Sequence, residues 1–170
     1  MQLSIRPWTE ADASVIAEAL NDAGVTDNLR DGLPTPYTEA DARDYIAFAK
    51  TAGEGAYAFA IAEDGVAVGS IQLTRQQNIH RRTAELGYYV VRRRWGAGIC
   101  TEAVRQICRF AFENTDVLRI FAEPFAENAA SCRVLEKAGF QLEGVLRRNA
   151  VKNGQVRDMR LYSLVREDLE

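Results

Sequence analysis

Ala84-Glu85-Leu86-Gly87-Tyr88-Tyr89-Val90-Val91-Arg92-Arg93-Arg94-Trp95-Gly96-Ala97-Gly98-Ile99-Cys100-Thr101-Glu102-Ala103 carries the chain from one hydrophobic period into another. Thr83 to Val91 reads as a strand, whereas from Gly98 onward Cys100, Ala103, Val104, Ile107, Cys108 and Ala111 form one stripe of a helix lasting to about Asn114. A strand that enters a glycine turn and leaves it as a helix gathers the helix's free N–H groups at one point, where an anion can be held. Gly96 and Gly98 lack a β-carbon and let a diphosphate approach the main chain. The turn is not a Walker loop, because no Gly-Lys-Ser/Thr follows, and it lacks the third glycine of the dinucleotide fingerprint. Spacing alone therefore fits a structural turn as well as a phosphate site.

Working outward, Gln2 to Arg6 alternates as a half-buried strand, and Thr9-Glu10-Ala11-Asp12 offers an N-cap for a helix to about Leu20. Asn28 to Tyr37 reads as a loop, and Thr38-Glu39-Ala40-Asp41 repeats the capping pattern before an amphipathic helix carrying Tyr45, Ile46, Phe48 and Ala49. Tyr57 to Ala62 and Val66 to Thr74 read as strands joined through Glu63-Asp64-Gly65, since Asp-Gly between apolar runs signals a hairpin. Val117 to Glu123 is a further strand. Asn128 opens a short helix that Gly139-Phe140 ends as a left-handed cap, and two closing strands bracket Lys152-Asn153-Gly154. This order predicts an α+β fold in one domain, residues 1–170: a single mixed, mostly antiparallel sheet flanked by helices.

The 170 residues are 47% hydrophobic and 26% charged, enough for one substantial core and one site. No apolar run approaches the roughly 18 residues of a membrane span, and no signal peptide is visible at the start, so the expectation is a cytoplasmic protein. With 21 basic and 24 acidic residues, the net charge of −3 gives no field for gathering nucleic acid or an anionic membrane. Cys100, Cys108 and Cys132 make neither a disulfide framework nor a metal site and read as small core residues. The single histidine, His80, lies in a polar turn, which argues against a Ser-His or Cys-His hydrolase.

Three ordered segments then resemble one family. Arg93-Arg94-Trp95-Gly96-Ala97-Gly98 matches the Arg/Gln-x-x-Gly-x-Gly/Ala signature of the GNAT superfamily of acetyl-CoA-dependent N-acetyltransferases. Ala84-Glu85-Leu86-Gly87-Tyr88, with Trp95-Gly96 and Thr101-Glu102-Ala103, is similar to the RimJ/RimL-type branch, whose members acetylate the N-termini of ribosomal proteins. Asn128-Ala129-Ala130-Ser131, Leu135 to Phe140 and Glu143 to Arg147 resemble that branch's second cofactor segment and closing strands, so the likeness spans about Leu3 to Asp168.

The resemblance implies the GNAT acyl-CoA acyltransferase fold, acetyl-CoA as acetyl donor and a primary amine as acceptor. It places the pantetheine arm beside Tyr89, Val90 and Val91, the diphosphate on the amides from about Arg94 through Trp95, Gly96, Ala97, Gly98 and Ile99 to Cys100, and Arg93 among the cofactor-binding residues. Asn128 and Ser131 meet the cofactor near its thiol. A carboxylate at Glu85 takes the amine proton in this scheme; the alternative is a rim residue paired with Arg81 or Arg82. Many members carry a proton-donating tyrosine seven positions after the asparagine, where this chain has Leu135, and that leaves Ser131, or else Tyr88 or Tyr162, for the leaving thiolate. Ser131 can equally be an ordinary first-turn residue. Arg30 and Tyr37 fall in the region forming one acceptor wall in similar enzymes, with Tyr88 beside it. Arg92-Arg93-Arg94 replaces the branch's commoner proline and acidic residues, and reaches either phosphates or solvent. The acceptor is a protein N-terminus or a small-molecule amine such as a polyamine, an antibiotic or a metabolite. A catalytically silent acyl-CoA-binding regulator is the rival reading, and a homodimer is compatible with the general frequency of such assemblies.

Overall fold

A computed structural model describes residues 1–169. Seven strands form one sheet: β1 (Leu3–Arg6), β2 (Ala56–Glu63), β3 (Val66–Arg75), β4 (Thr83–Val90), β5 (Arg119–Ala122), β6 (Gln141–Lys152) and β7 (Gln155–Val165), in the order β1-β2-β3-β4-β5-β7-β6. Every pairing is antiparallel except β4 with β5. The helices are α1 (Ala13–Leu20), α2 (Ala23–Thr26), α3 (Glu39–Thr51), α4 (Ile99–Asn114) and α5 (Ala129–Lys137). The predicted mixed sheet is present.

Local chemistry explains most boundaries. Asp64 and Gly65 both have positive φ, as do Asn153 and Gly154, so each pair supplies the left-handed turn that matches strand twist in a two-residue hairpin. Thr38 caps α3 by accepting from the Asp41 N–H at 3.1 Å while the Asp41 carboxylate takes the Thr38 N–H at 2.9 Å. Gly139, at φ 97°, ends α5 as expected. Beyond shifts of one residue at strand ends, three features differ from the sequence reading. The segment before α1 is a 3-10 turn over Glu10–Asp12, because the Asp12 carboxylate is held by the Arg6 guanidinium at 2.8 and 2.9 Å. A four-residue helix, α2, precedes the loop and is capped by Asp22, which accepts from the Gly24 N–H at 2.9 Å. Finally, β5 begins at Arg119 rather than Val117.

Side-chain alternation assigns the two faces of the sheet. Tyr45 on α3 donates to Gln72 on β3 at 2.6 Å, and Gln72 stands opposite Gly87 of β4, so α1 and α3 cover the face that Glu85, Gly87 and Tyr89 share. Tyr88 points the other way and meets Ser131 on α5, whose face it shares with Leu86. On that second face Phe110 of α4 lies edge-on to Tyr57 and Phe59 of β2, with centroids 5.8 and 5.1 Å away. The expected α4 stripe, including Ala103, Val104, Ile107, Cys108 and Ala111, is buried against the sheet with Ile71, Leu73 and Ile120.

One ion pair, reaching across β7 from β5 to the edge strand β6, bears on acid stability. The Arg119 guanidinium forks onto Glu143 at 2.5 and 2.8 Å and the Ser163 hydroxyl donates to the same carboxylate; together they lower the Glu143 pKa from 4.5 to about 2. A depressed carboxylate contributes stability that is present above its unfolded pKa and lost as pH falls toward the folded one. Glu143→Gln therefore lowers the melting temperature at pH 7 and makes it less pH-dependent between pH 4.5 and 2. The effect is small, since the pair is partly in solvent. Parallel melting curves with the same acid slope in both proteins would contradict this.

Candidate active site

β4 pairs with β5 through Thr83, Ala84 and Glu85 alone; from Leu86 to Val90 its second edge faces no strand. The parting of the two strands opens a cleft of about 840 Å³ that reaches both faces of the sheet. On one side its wall includes Tyr37, Tyr45, Gln72, Glu85 and Arg30, on the other Gly98, Cys100, Asn128 and Ser131, and Tyr88 and Tyr89 of β4 also line it. An extended arm can add to such an open strand edge through main-chain hydrogen bonds.

The glycine turn borders open space at the start of α4. Gly96 and Gly98 sit at φ 78° and 75°, and a β-carbon at either would meet no atom within 4 Å. No side chain caps α4, which leaves the first-turn amides of Ile99, Cys100 and Thr101 directed at that open space. Trp95 seals the join, its indole N–H donating to the Val90 carbonyl at 2.8 Å with the Arg92 guanidinium 5.3 Å above its ring.

Each of the three arginines is paired with an acid. Arg92 forks onto Asp22 at 2.8 and 2.5 Å, Arg93 meets Glu18 at 2.9 Å, and Arg94 binds Glu63 at 3.0 Å. Of the expected contact residues, Arg94, Trp95, Gly96, Gly98, Ile99, Cys100, Tyr89, Val90, Asn128 and Ser131 line the cleft, whereas Val91, Arg93 and Ala97 do not. Cys100 differs from Cys108 and Cys132 in standing on the cleft wall, where burial pushes its thiol up to about 12 and keeps it protonated and unreactive.

Near α5, the Asn128 side chain accepts the Ser131 N–H at 3.2 Å, and the Ser131 hydroxyl lies 2.6 Å from that of Tyr88. Burial raises the Tyr88 pKa, so its hydroxyl is neutral at physiological pH and can donate. Leu135 is fully buried, and Tyr162 is 1% exposed and donates to Glu136 at 2.8 Å off the cleft. Tyr162 is thus removed from the candidate proton sources. Tyr88 belongs with Ser131 rather than with Arg30 and Tyr37.

Across the sheet, Arg30 grips Glu85 through two hydrogen bonds of 2.9 and 2.5 Å and comes within 3.8 Å of Glu123. The expected partners Arg81 and Arg82 do not reach Glu85; Arg82 instead donates to the Asp116 carbonyl at 2.7 Å. Burial, and then the Glu85 charge, raise the Glu123 pKa. Glu123, Gln72, Tyr45, Arg133 and Lys137 also line the cleft and are not among the site residues expected from the sequence. Arg133 and Lys137 stand four apart on a helix whose cap the sequence marks, and Tyr45 belongs to an amphipathic pattern, but neither pattern points to a cleft.

The cleft thus runs through a parted β4/β5 pair, with the uncapped start of α4 at one end and paired carboxylates at the other. The chain belongs to the acetyltransferase (GNAT) domain family, whose model matches residues 2–141. An uncharacterized N-acetyltransferase of Bacillus subtilis, YoaA, is 37% identical over 99 residues, which are 58% of this chain and 55% of that protein. The spermidine N(1)-acetyltransferase of Escherichia coli is 27% identical over 100 residues, 59% of this chain and 53% of its own length. The aligned part thus spans about half of these curated relatives. Mycobacterium smegmatis RimJ, solved in complex with CoA-disulfide, superimposes with a TM-score of 0.87 at 25% identity, over 98% of this chain and 83% of that one.

Proposed function

We propose that this protein transfers the acetyl group of acetyl-CoA directly to a primary amine, and that the amine is the α-amino group of a protein N-terminus. The reading rests on one observation: the open edge of β4 joins a hydroxyl pair on one face of the sheet to a carboxylate pair on the other. When bound, acetyl-CoA supplies an acyl carbon activated by its thioester. Its diphosphate would be held by the amides of Ile99, Cys100 and Thr101 and its arm by the edge of β4.

Glu85 accepts the proton that the ammonium must lose before its lone pair can attack. An α-amino group with a pKa of about 8 sheds that proton more readily than a lysine near 10.4, so a carboxylate base is adequate. The new bond is N–C and the broken bond C–S. The Ser131 hydroxyl, itself hydrogen-bonded to Tyr88, would donate a hydrogen bond to the departing thiolate, which needs no full protonation at neutral pH. A hydrogen bond to a charged group contributes roughly 1.5 to 3 kcal/mol, so Ser131→Ala lowers turnover about tenfold to hundredfold at saturating acetyl-CoA. Tyr88→Phe lowers it too, and the double variant loses less than the product of the two, because one hydrogen-bonded unit is removed. Full activity in a Ser131→Ala protein with an unaltered melting curve would remove the role.

The test of the activity is thiol release from acetyl-CoA across a panel of free N-terminal peptides, their N-acetylated counterparts, polyamines and aminoglycosides. Release with free N-termini and none with blocked ones supports the reading. Release with polyamines alone makes the acceptor a small amine. Tight acetyl-CoA binding without release to any amine makes the protein a silent binder.

A further inference from the structure

Gly87 has no structural reason to be glycine. Gly69 of β3, opposite Val90, would drive a β-carbon to 2.3 Å from the Tyr89 carbonyl oxygen, so bulk is forbidden there by backbone. Gly87 lacks the positive φ of Gly96 and Gly98, and a β-carbon built on it would meet no atom within 4 Å. Glycine inside a strand loosens it relative to a residue with a side chain. It is nonetheless placed in the fourth of seven strands, exposed, next to the buried Leu86.

The direction of the missing side chain gives it a meaning. A β-carbon at 87 would point to the face of Glu85 and Tyr89, beside the Gln72 side chain that Tyr45 holds. The open space therefore lies within the cleft, two residues along the strand from the proposed proton acceptor, and beside the unpaired edge of β4. A carbon atom attached to the attacking nitrogen needs room there. A linear amine, R–CH2–NH2, brings a single chain to that spot, whereas an amine on a branched carbon brings a second substituent that must go somewhere.

We propose that Gly87 is a specificity-determining residue, leaving room for the second substituent on the carbon that bears the acceptor nitrogen, so that the site accepts N-terminal residues with side chains. This rests on the N-terminal reading above and narrows it to branched α-amines.

The experiment compares wild type, Gly87→Ala and Gly87→Val with three acceptors: a peptide beginning with alanine, the same peptide beginning with glycine, and a linear diamine. One misplaced methyl group in a packed site changes kcat/KM by about 10- to 200-fold. Gly87→Ala is expected to lose that much with the alanyl peptide and to keep wild-type rates with the glycyl peptide and the diamine. Gly87→Val should extend the loss to the glycyl peptide. Acetyl-CoA affinity by calorimetry and the melting temperature should not fall in Gly87→Ala, which a purely structural glycine would not permit. If Gly87→Ala weakens all three acceptors equally, weakens none, lowers acetyl-CoA affinity or melts earlier, the assignment of Gly87 is overturned while the N-terminal reading stands. If wild type acetylates neither peptide, the N-terminal reading fails and takes the assignment with it.

Discussion

Gly98→Trp leaves a folded protein that no longer binds acetyl-CoA in titration calorimetry. Two effects act together. Gly98 holds φ at 75°, a left-handed conformation that costs an ordinary L-residue roughly 1 to 2 kcal/mol. The indole would also occupy the open space over the amides of Ile99, Cys100 and Thr101, where the diphosphate is proposed to lie. Gly98→Ala separates them, because it carries the backbone cost with little of the bulk and should retain weakened binding. A melting curve verifies that the tryptophan variant is folded. Wild-type affinity in that folded variant would place the diphosphate elsewhere.

Glu85→Gln is the second large effect, with turnover lowered about 10²- to 10⁴-fold, the usual contribution of a general base. Acetyl-CoA affinity should be nearly unchanged, since Glu85 faces away from the α4 and α5 side. The amide keeps the shape of the carboxylate and loses its ability to take a proton. Arg30, which now grips Glu85, loses an ionic partner in the variant and has Glu123 nearby, so Glu123→Gln is the necessary companion. Steady-state kinetics across pH read the outcome. Wild-type turnover with an unaltered acid limb in Glu85→Gln, together with a defect in Glu123→Gln, would transfer the role to Glu123.

The strands, hairpins and long helices were legible because their signals are local. Asp64-Gly65, the Thr38-Asp41 box, the α4 stripe and Gly139 each act within a few residues of themselves. The uncapped glycine turn belongs to this group. What stayed hidden depends on partners distant in sequence. Nothing near Arg92, Arg93 and Arg94 announces Asp22, Glu18 and Glu63, and nothing near Glu85 announces Arg30, 55 residues away. Alternation along β4 separates Glu85 from Tyr88, but only the packed helices tell which face is which. The hydroxyl pair of Tyr88 and Ser131, 43 residues apart, is a product of that packing.

The arginine run has one more consequence. Its acids come from three different places: Glu18 on α1, Asp22 at the cap of α2 and Glu63 at the end of β2. The segment leading into the glycine turn is therefore tethered from several directions before any ligand arrives. Side chains that must be immobilised on binding typically subtract about 0.5 to 1.5 kcal/mol each from affinity. Here that loss of freedom belongs to folding, and a diphosphate bound where we propose would meet a surface already in its final shape.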